Sequence, residues 1–231
     1  MPLKSKEDFL EGQVILIDKP LDWTSFQAVN ALKWAIRKKF NLKKLKIGHA
    51  GTLDPLATGL LIICTGKFTK KIPEYQGQPK EYTGTFTLGA TTPSYDLETA
   101  VDHSYPWEHL TEEDLKGATA QFLGEIQQMP PMFSAIKKDG KRLYELARAG
   151  KAVAVEPRNI EIFAFDITGI MLPQVDFRVV CSKGTYIRSL AHDFGKAVGS
   201  GAHLTSLRRT KIGDFNVNNA SAPLDFKEKL G

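Results

Sequence analysis

The amino-acid sequence predicts an α+β fold in a single domain, and three observations support this class. Short segments rich in β-branched and aromatic residues are separated by turn and hairpin signals, whereas segments of helical period are scattered. These strands and helices do not follow the βαβ order that predicts a parallel sheet. The 231 residues contain no internal repeat and no low-complexity linker, which favours one domain over residues 1–231.

The composition is typical of a globular chain with a hydrophobic core. Hydrophobic residues make up 42% of the chain and charged residues 25%, and the net charge of +5 permits a nucleic-acid partner without requiring one. Cys64 and Cys181 lack the spacing of a metal site or a disulfide framework, so we expect buried, reduced thiols in a cytoplasmic protein. No apolar run approaches the roughly 20 residues that cross a bilayer, so we expect no membrane association.

The N-terminal part predicts a strand at residues 13–17 and then an amphipathic helix. Thr24 and Ser25 suit the helix N-cap, and the apolar face has helical spacing, with Phe26, Val29, Leu32 and Ile36. The other face and the following loop are basic, with Lys33, Arg37, Lys38, Lys39, Lys43, Lys44 and Lys46. A charge run is usually a solvated face, but this one contains no acidic residue. It could therefore neutralise the phosphates of a polyanion.

The segment Gly48–Gly59 is the main candidate for a reactive loop. It contains three glycines, one histidine and the carboxylate of Asp54, which is followed directly by Pro55. Glycines permit unusual backbone dihedrals and proline stiffens the bend, while the apolar run at residues 60–64 predicts a buried strand. We therefore place Asp54 on a rigid loop at the edge of a sheet. Because Asp before Pro is common in turns, a capping role for Asp54 remains open at this point.

The rest of the chain alternates between strands and short helices. Strands are predicted at residues 81–88, 160–170 and 175–181. Asp139-Gly140 predicts a hairpin whose first arm is 134–137. Helices are predicted after Thr111, where Asp114 suits a capping box, and at residues 141–149, 186–198 and 203–207.

Several kinds of catalytic site are excluded by the motifs that the chain lacks. There is neither a phosphate-binding loop nor a serine-hydrolase motif, and the histidines lack metal-ligand spacing, so we expect no metal. What remains is Asp54, and a buried carboxylate normally needs a cation. Arg188, with Tyr186 close by, follows a predicted strand and turn and offers one. A surface position is the commoner fate of an arginine, and this alternative also remains open.

Several motifs in the same order resemble the TruB family of tRNA pseudouridine synthases over nearly the whole chain. Gly48–Gly59 is similar to the catalytic motif and Asp18-Lys19-Pro20 to the N-terminal motif. Further similar segments are residues 80–82 with 88–89, 130–137 with 140 and 143–145, 182–190, and 204–209. An ordered set is far more specific than any single motif. Two positions depart from the family pattern, since Pro93 stands where Asp is usual and Thr99 where Gly is usual.

The resemblance implies the pseudouridine synthase fold, a mixed, mainly antiparallel sheet flanked by helices with a catalytic cleft. Residues 131–157 correspond to a thumb-like hairpin and helix insertion. The implied reaction is isomerisation of uridine 55 in the tRNA T-arm to pseudouridine, without cofactor or metal. We expect tRNA as the partner, no protein partner, a monomer and a cytoplasmic location. Because the chain ends at residue 231, we do not expect the small C-terminal RNA-binding domain of many family members.

The resemblance also implies roles for individual residues. Asp54 is the catalytic nucleophile or base, Arg188 pairs with it, and Tyr82 stacks on the target base. His49 helps the RNA rearrange, and the remaining substrate-binding residues are Lys19, Tyr186 and Leu207. The RNA backbone is expected to contact Arg37, Lys38, Lys39, Lys43, Lys44, Lys46, Arg208 and Arg209.

Some questions stay open at the level of sequence. Asp54 could attack C1′ or C6 of the nucleotide, or remove a ribose proton. A tRNA-folding helper whose catalysis is secondary or lost is an alternative function. A metal-dependent hydrolase using His49 and Asp54 is a weaker one. A relative that modifies ribosomal RNA with guide RNAs is disfavoured by the expected lack of a C-terminal domain.

Overall fold

A computed structural model describes residues 5–134, 136–138, 140–150 and 155–230, which fall into two compact units. Unit 1 comprises residues 1–82 and 208–231, and unit 2 comprises residues 83–207. Parts of the predicted hairpin and thumb-like segment, namely Ala135, Asp139 and residues 151–154, lie outside the described residues.

The secondary structure is a mixture of strands and short helices. The strands are β1 (Val14–Lys19), β2 (Ile47–His49), β3 (Ala57–Thr65), β4 (Lys80–Leu88), β5 (Ala90–Thr91), β6 (His103–Ser104), β7 (Gly124–Gln128), β8 (Lys137–Lys138), β9 (Lys141–Arg142), β10 (Arg158–Met171), β11 (Gln174–Cys181), β12 (Ala202–Ile212) and β13 (Phe215–Asn216). The α-helices are α1 (Lys6–Glu11), α2 (Ser25–Lys39), α3 (Ile72–Gly77), α4 (Glu112–Ala118), α5 (Leu143–Arg148), α6 (Ile187–Ala197) and α7 (Pro223–Leu230). Short 3₁₀ helices lie at Gly66–Lys71, Thr119–Phe122 and Val217–Asn219.

In unit 1 the strand order is β1-β3-β12, with β2 paired to β3 and β13 to β12. Strands β1 and β3 are antiparallel, and β3 is almost entirely buried because apolar side chains cover both of its faces. One core cluster joins Leu32 and Ile36 of α2 to Ile17 of β1 and Leu61 of β3. The prediction of the apolar face of α2 is wrong at one residue, Phe26. Phe26 is 67% exposed because the buried stripe runs through Ser25, Ala28 and Leu32, one residue away.

In unit 2 the strand order is β12-β4-β11-β10-β7, and β10 pairs antiparallel with both β11 and β7. The core is aromatic: Phe86 of β4 stacks on Phe177 of β11 with ring centroids 4.1 Å apart, and Phe165 and Phe194 pack around them. Helix α6 contributes Phe194 to this cluster, so its other residues are held at fixed positions against the sheet. The fold is therefore α+β with mainly antiparallel pairing, as predicted.

Most predicted elements are confirmed, and three are corrected. The Thr111 capping box is present. The hairpin of β8 and β9 is also present, but its first arm is Lys137–Lys138 and not residues 134–137. The helix predicted at residues 203–207 is wrong, because this segment lies in strand β12. Its Thr205 hydroxyl donates to the Thr85 carbonyl at 3.2 Å, a contact made at long range. The helix predicted at residues 141–149 begins only at Leu143, since the two preceding residues form β9.

Two further sequence expectations can be compared with the described residues. Cys64 and Cys181 are buried free thiols, and burial raises the pKa of Cys64 to about 11. Within the described ranges, no helix combines the length and the apolar character that a membrane span requires.

Candidate active site

Asp54 lies on the half-buried loop between β2 and β3, and the start of helix α2 fixes this loop. The Leu53 amide donates to the Ser25 hydroxyl at 2.8 Å, and that hydroxyl lies 3.1 Å from the Leu53 carbonyl. Ser25 is itself set by the capping box of Thr24, whose side chain accepts a hydrogen bond from the Gln27 amide. The residue beside the carboxylate is therefore tied to a regular element, which suits a catalytic group.

Arg209 holds the same loop from its other side. Its guanidinium is 1% exposed and donates from Nε to the Leu60 carbonyl at 2.8 Å and from Nη2 to the Gly51 carbonyl at 3.1 Å. These contacts correct the prediction that Arg209 touches the RNA backbone, because a buried guanidinium bound to loop carbonyls is withdrawn from the surface. We assign Arg209 to the support of the Asp54 loop instead.

Lys19 is a second buried cation next to this loop. Its ammonium donates to the carbonyls of Pro20 at 2.9 Å, Trp23 at 2.6 Å and Pro55 at 3.3 Å. Burial lowers the pKa of Lys19 to about 8, although the carboxylates of Asp54 and Asp22 act in the opposite direction. The contact with Pro55 fixes the backbone directly after Asp54, so Lys19 supports the loop. Its predicted contact with the substrate stays a prediction.

The depressed pKa of Lys19 predicts a pH-dependent stability. Between pH 8 and the ordinary lysine value of 10.5, the unfolded chain binds more protons than the folded one, so the free energy of unfolding gains from this group as pH rises. The gain is on the order of 3 kcal/mol. We expect urea titrations across this window to show a smaller rise for Lys19→Met than for the parent. The control variant is Lys67→Met, which replaces an exposed lysine. It should show the same rise in the free energy of unfolding as the parent. Equal rises in parent and Lys19→Met would contradict the assignment.

His49 lies in β2, just before the loop. Its Nδ1 atom is buried without a hydrogen-bond partner in the part of the chain that the structure describes. Burial lowers the pKa of His49, a hydrogen bond with the Gly51 backbone acts in the opposite direction, and the nearby charge of Arg209 lowers the pKa further. The ring is therefore neutral at neutral pH, with one buried nitrogen for which the described residues provide no partner.

At Gly59, β3 passes close to the backbone of β12. A Cβ added at Gly59 would lie 2.3 Å from the Arg209 carbonyl oxygen, and the Gly59 φ of +104° is one that side chains rarely adopt. This position therefore requires glycine, and it fixes the end of the Asp54 loop against the backbone of Arg209.

We expect Gly59→Ala to lower the free energy of unfolding by about 3 kcal/mol, since overpacking costs roughly 1–3 kcal/mol and a positive φ adds about 1–2 kcal/mol. The matched control is Gly117→Ala in α4, where an added Cβ meets nothing within 4 Å. This control should be neutral or slightly stabilising, because alanine is the better helix former. Denaturant titration measures both variants, and equal stabilities would refute the steric argument.

Arg208 links the motif at residues 204–209 to the N-terminal motif Asp18-Lys19-Pro20. Its guanidinium binds both oxygens of Asp18, at 3.0 Å and 2.6 Å, and remains partly exposed. The predicted contact of Arg208 with RNA stays a prediction. The other predicted backbone contacts are exposed as that role requires: Arg37, Lys38, Lys39, Lys43, Lys44 and Lys46.

In unit 2, Arg188 is buried and faces a loop that sequence reasoning did not include in the site. Its Nη1 donates to the Ser94 carbonyl at 3.3 Å, and its Nε lies 3.6 Å from Oδ2 of Asp96. Asp96 is buried too, and its Oδ1 accepts a hydrogen bond from the Glu98 amide at 2.9 Å. Sequence reasoning missed Asp96, and the signal that could have found it is a carboxylate in a loop already marked by the unusual Pro93.

The unusual Thr99 has a structural role in that loop. Its hydroxyl accepts a hydrogen bond from the Ser94 amide at 3.1 Å and lies 2.8 Å from the Ser94 hydroxyl. The Ser94 carbonyl in turn accepts from Arg188. The departure from the family pattern therefore adds side-chain support to the residues that contact Arg188.

The other predicted substrate-binding residues lie on the long strands and at the start of α6. Tyr186 is the N-cap residue of α6, and the Gln128 amide group binds both its N–H, at 2.8 Å, and its carbonyl, at 3.0 Å. Tyr82 lies in β4 and is buried, while Leu207 lies in β12 and is partly buried. Asp54 belongs to unit 1 and Arg188 to unit 2, and their pairing stays a prediction. Among the described residues, no group of three or more His, Cys, Asp or Glu could hold a metal ion.

Comparison with known proteins agrees with this fold and these motifs. One family model, described as TruB family pseudouridylate synthase (N terminal domain), matches residues 37–187. A second, described as tRNA pseudouridylate synthase B C-terminal domain, matches residues 188–228. The chain is 68% identical over 225 residues to tRNA pseudouridine synthase B of Flavobacterium johnsoniae, covering 97% of this chain and 98% of the relative. It is 52% identical over 223 residues to the protein of the same name from Phocaeicola vulgatus, covering 96% and 95%.

A solved structure, of a Cbf5-Nop10-Gar1 complex, matches with a TM-score of 0.67 and 30% identity. The match covers 92% of this chain and 52% of that one, so the chain spans about half the length of its structural neighbour. The fold is that of the pseudouridine synthases, isomerases that act on uridine in RNA. The chain belongs to the TruB family within this class.

Proposed function

We propose that this chain isomerises uridine 55 in the T-arm of tRNA to pseudouridine, in the cytoplasm, with Asp54 as the catalytic residue. The observation that carries the proposal is the fixation of the Asp54 loop from three sides, by Ser25, Lys19 and Arg209. Relatives named tRNA pseudouridine synthase B, at up to 68% identity, support tRNA as the substrate. We also propose that residues 1–231 act as one catalytic domain, as a monomer, with residues 131–157 as a thumb-like segment against the RNA.

The chemistry explains why a fixed carboxylate is needed. The enzyme must break the N1–C1′ bond, turn the uracil and rejoin it through C5, and a stacked base is out of reach inside its helix. Flipping the nucleotide costs a few kcal/mol, and stacking on an aromatic ring such as Tyr82 returns about 1–3 kcal/mol. Phosphate contacts from the exposed lysines after α2 supply the remaining, salt-dependent affinity. A carboxylate held in place then acts without reorganising at the moment of reaction.

Three routes use an ionised Asp54: attack at C1′, attack at C6 and removal of a ribose proton. In each, Arg188 is proposed to face Asp54 and keep it charged. The support for this role is that Arg188 is buried and that its guanidinium is oriented by Ser94 and Asp96. Lys19 then supports the Asp54 loop, and His49 helps the RNA rearrange. Tyr186 and Leu207 line the pocket that receives the base.

Tritium release tests the proposal directly. A proton leaves C5 when the new bond forms, so tRNA labelled with tritium at C5 of its uridines should release one label per molecule. The matched control is the same tRNA with cytidine in place of uridine 55, which should release none. No release from the first tRNA at enzyme excess would overturn the proposed reaction, and equal release from both would overturn the proposed position.

A further inference from the structure

Tyr95 holds an unusual backbone conformation directly before Asp96. Its φ is +64°, a left-handed conformation that bulky residues rarely adopt and that costs roughly 1–2 kcal/mol. The backbone is fixed on both sides, since the Tyr95 amide donates to the Thr92 carbonyl at 3.0 Å and its carbonyl accepts from the Leu204 amide at 2.9 Å. A tyrosine in such a place indicates that its side chain makes a compensating contact.

That contact is a ring stack on His192. The two ring centroids are 4.0 Å apart and the planes are inclined by 17°. His192 lies on α6, four residues after Arg188, so both side chains project from the same face of one helix. The stack therefore ties the loop that carries Asp96 to the helix that carries Arg188.

We propose that Tyr95 and His192 are a positioning pair, which sets Asp96 and, through it, the Arg188 guanidinium in the orientation that the reaction requires. The proposal rests on the function proposed above, because it assumes that Arg188 acts at the active site. Asp96 follows Tyr95 directly, so a turn of the Tyr95 backbone would move its carboxylate away from Arg188 Nε, now 3.6 Å distant. The carbonyl of Ser94, which also binds Arg188, precedes Tyr95 and would move with it.

The two rings act through shape rather than charge. Burial and the carboxylates of Asp193 and Asp102 raise the pKa of Tyr95 above its ordinary value. Burial and the Lys196 ammonium lower the pKa of His192, while Asp102 acts in the opposite direction. Both rings are thus neutral at neutral pH, and the His192 Nδ1 has no hydrogen-bond partner among the described residues. We therefore expect phenylalanine to serve in place of either Tyr95 or His192.

The test compares variants that lack the ring at residue 95 or 192 with variants that carry phenylalanine at the same position. Tyr95→Gly removes the ring while glycine accepts the positive φ without strain, so the variant should keep its thermal stability. We expect its single-turnover rate of tritium release to fall about 10- to 100-fold, the cost of a misplacement near 1 Å, with tRNA affinity within about twofold. His192→Ala should behave alike. Tyr95→Phe and His192→Phe should stay within about threefold of the parent, and Tyr95→Gly/His192→Ala should be no slower than its worse single variant.

The outcomes separate the pair from the proposed reaction. Parent-like rates for Tyr95→Gly and His192→Ala, with Asp54→Asn inactive, would overturn the positioning pair alone. A Tyr95→Phe variant as slow as Tyr95→Gly would also overturn it, because the hydroxyl rather than the stack would then matter. An inactive parent would instead overturn the proposed function. As a control, Phe163→Ala removes an exposed aromatic ring of unit 2 outside this cluster and should leave the rate unchanged.

Discussion

Replacement of Asp54 by asparagine is expected to lower the single-turnover rate of pseudouridine formation by on the order of 10⁴-fold, as when an essential charged catalytic group is neutralised. The asparagine amide can neither form the bond to C1′ or C6 nor accept a ribose proton. Its size suits the existing loop, which Ser25, Lys19 and Arg209 hold through backbone carbonyl and amide groups. Tritium release at enzyme excess measures the rate, and filter binding measures tRNA affinity, which should change by less than about threefold.

The matched control for this experiment is Asp166→Asn, which neutralises an exposed carboxylate paired with Arg178 at 3.0 Å. Surface pairs of this kind contribute about 0–1 kcal/mol, so both rate and stability should stay near the parent. The Asp54→Asn variant also tests the alternative that the protein is a tRNA-folding helper. If Asp54→Asn retained the full rate, Asp54 would not be catalytic, whereas a variant that binds tRNA but turns over none would separate binding from chemistry.

The local part of this fold could be predicted from the sequence because its causes are local. The N-cap at Thr24 and the helical spacing after it define α2, and the continuous apolar run at residues 60–64 defines β3. Phe26 shows the limit of this reasoning. Its spacing fits the apolar face, but the exact rotation of the buried stripe depends on which strands the helix meets.

The parts that failed depend on partners distant in the chain. Residues 203–207 form a strand because β4, more than a hundred residues earlier, supplies the pairing contacts of Thr205. Arg209 looks like a surface cation in the sequence, and only the folded chain shows the carbonyls that accept its hydrogen bonds. Asp96 was missed for the same reason, since its relation to Arg188 is visible only once α6 packs beside its loop.

Loss of Arg188 should lower stability through Asp96 and lower the reaction rate through Asp54. The effect on stability can therefore be measured separately from the effect on the rate. Arg188→Ala removes the cation beside Asp96, both side chains being at most 7% exposed, and leaves a buried carboxylate without this partner. Breaking a buried ion pair in this way costs about 3–5 kcal/mol. The rate of tritium release should fall by about 10²–10³-fold, as when a fixed electrostatic partner of the reacting group is removed.

The double variant Arg188→Ala/Asp96→Asn distinguishes these effects, because it removes the orphaned charge without restoring the cation. We expect at least half of the lost unfolding free energy to return, while the rate stays as low as in Arg188→Ala. Arg178→Ala, which breaks an exposed pair, serves as the arginine control and should cost less than about 1 kcal/mol. Recovery of the rate together with stability would show that Arg188 only supports the fold. Recovery of neither would show that the buried contact with Asp96 is not what makes Arg188→Ala unstable.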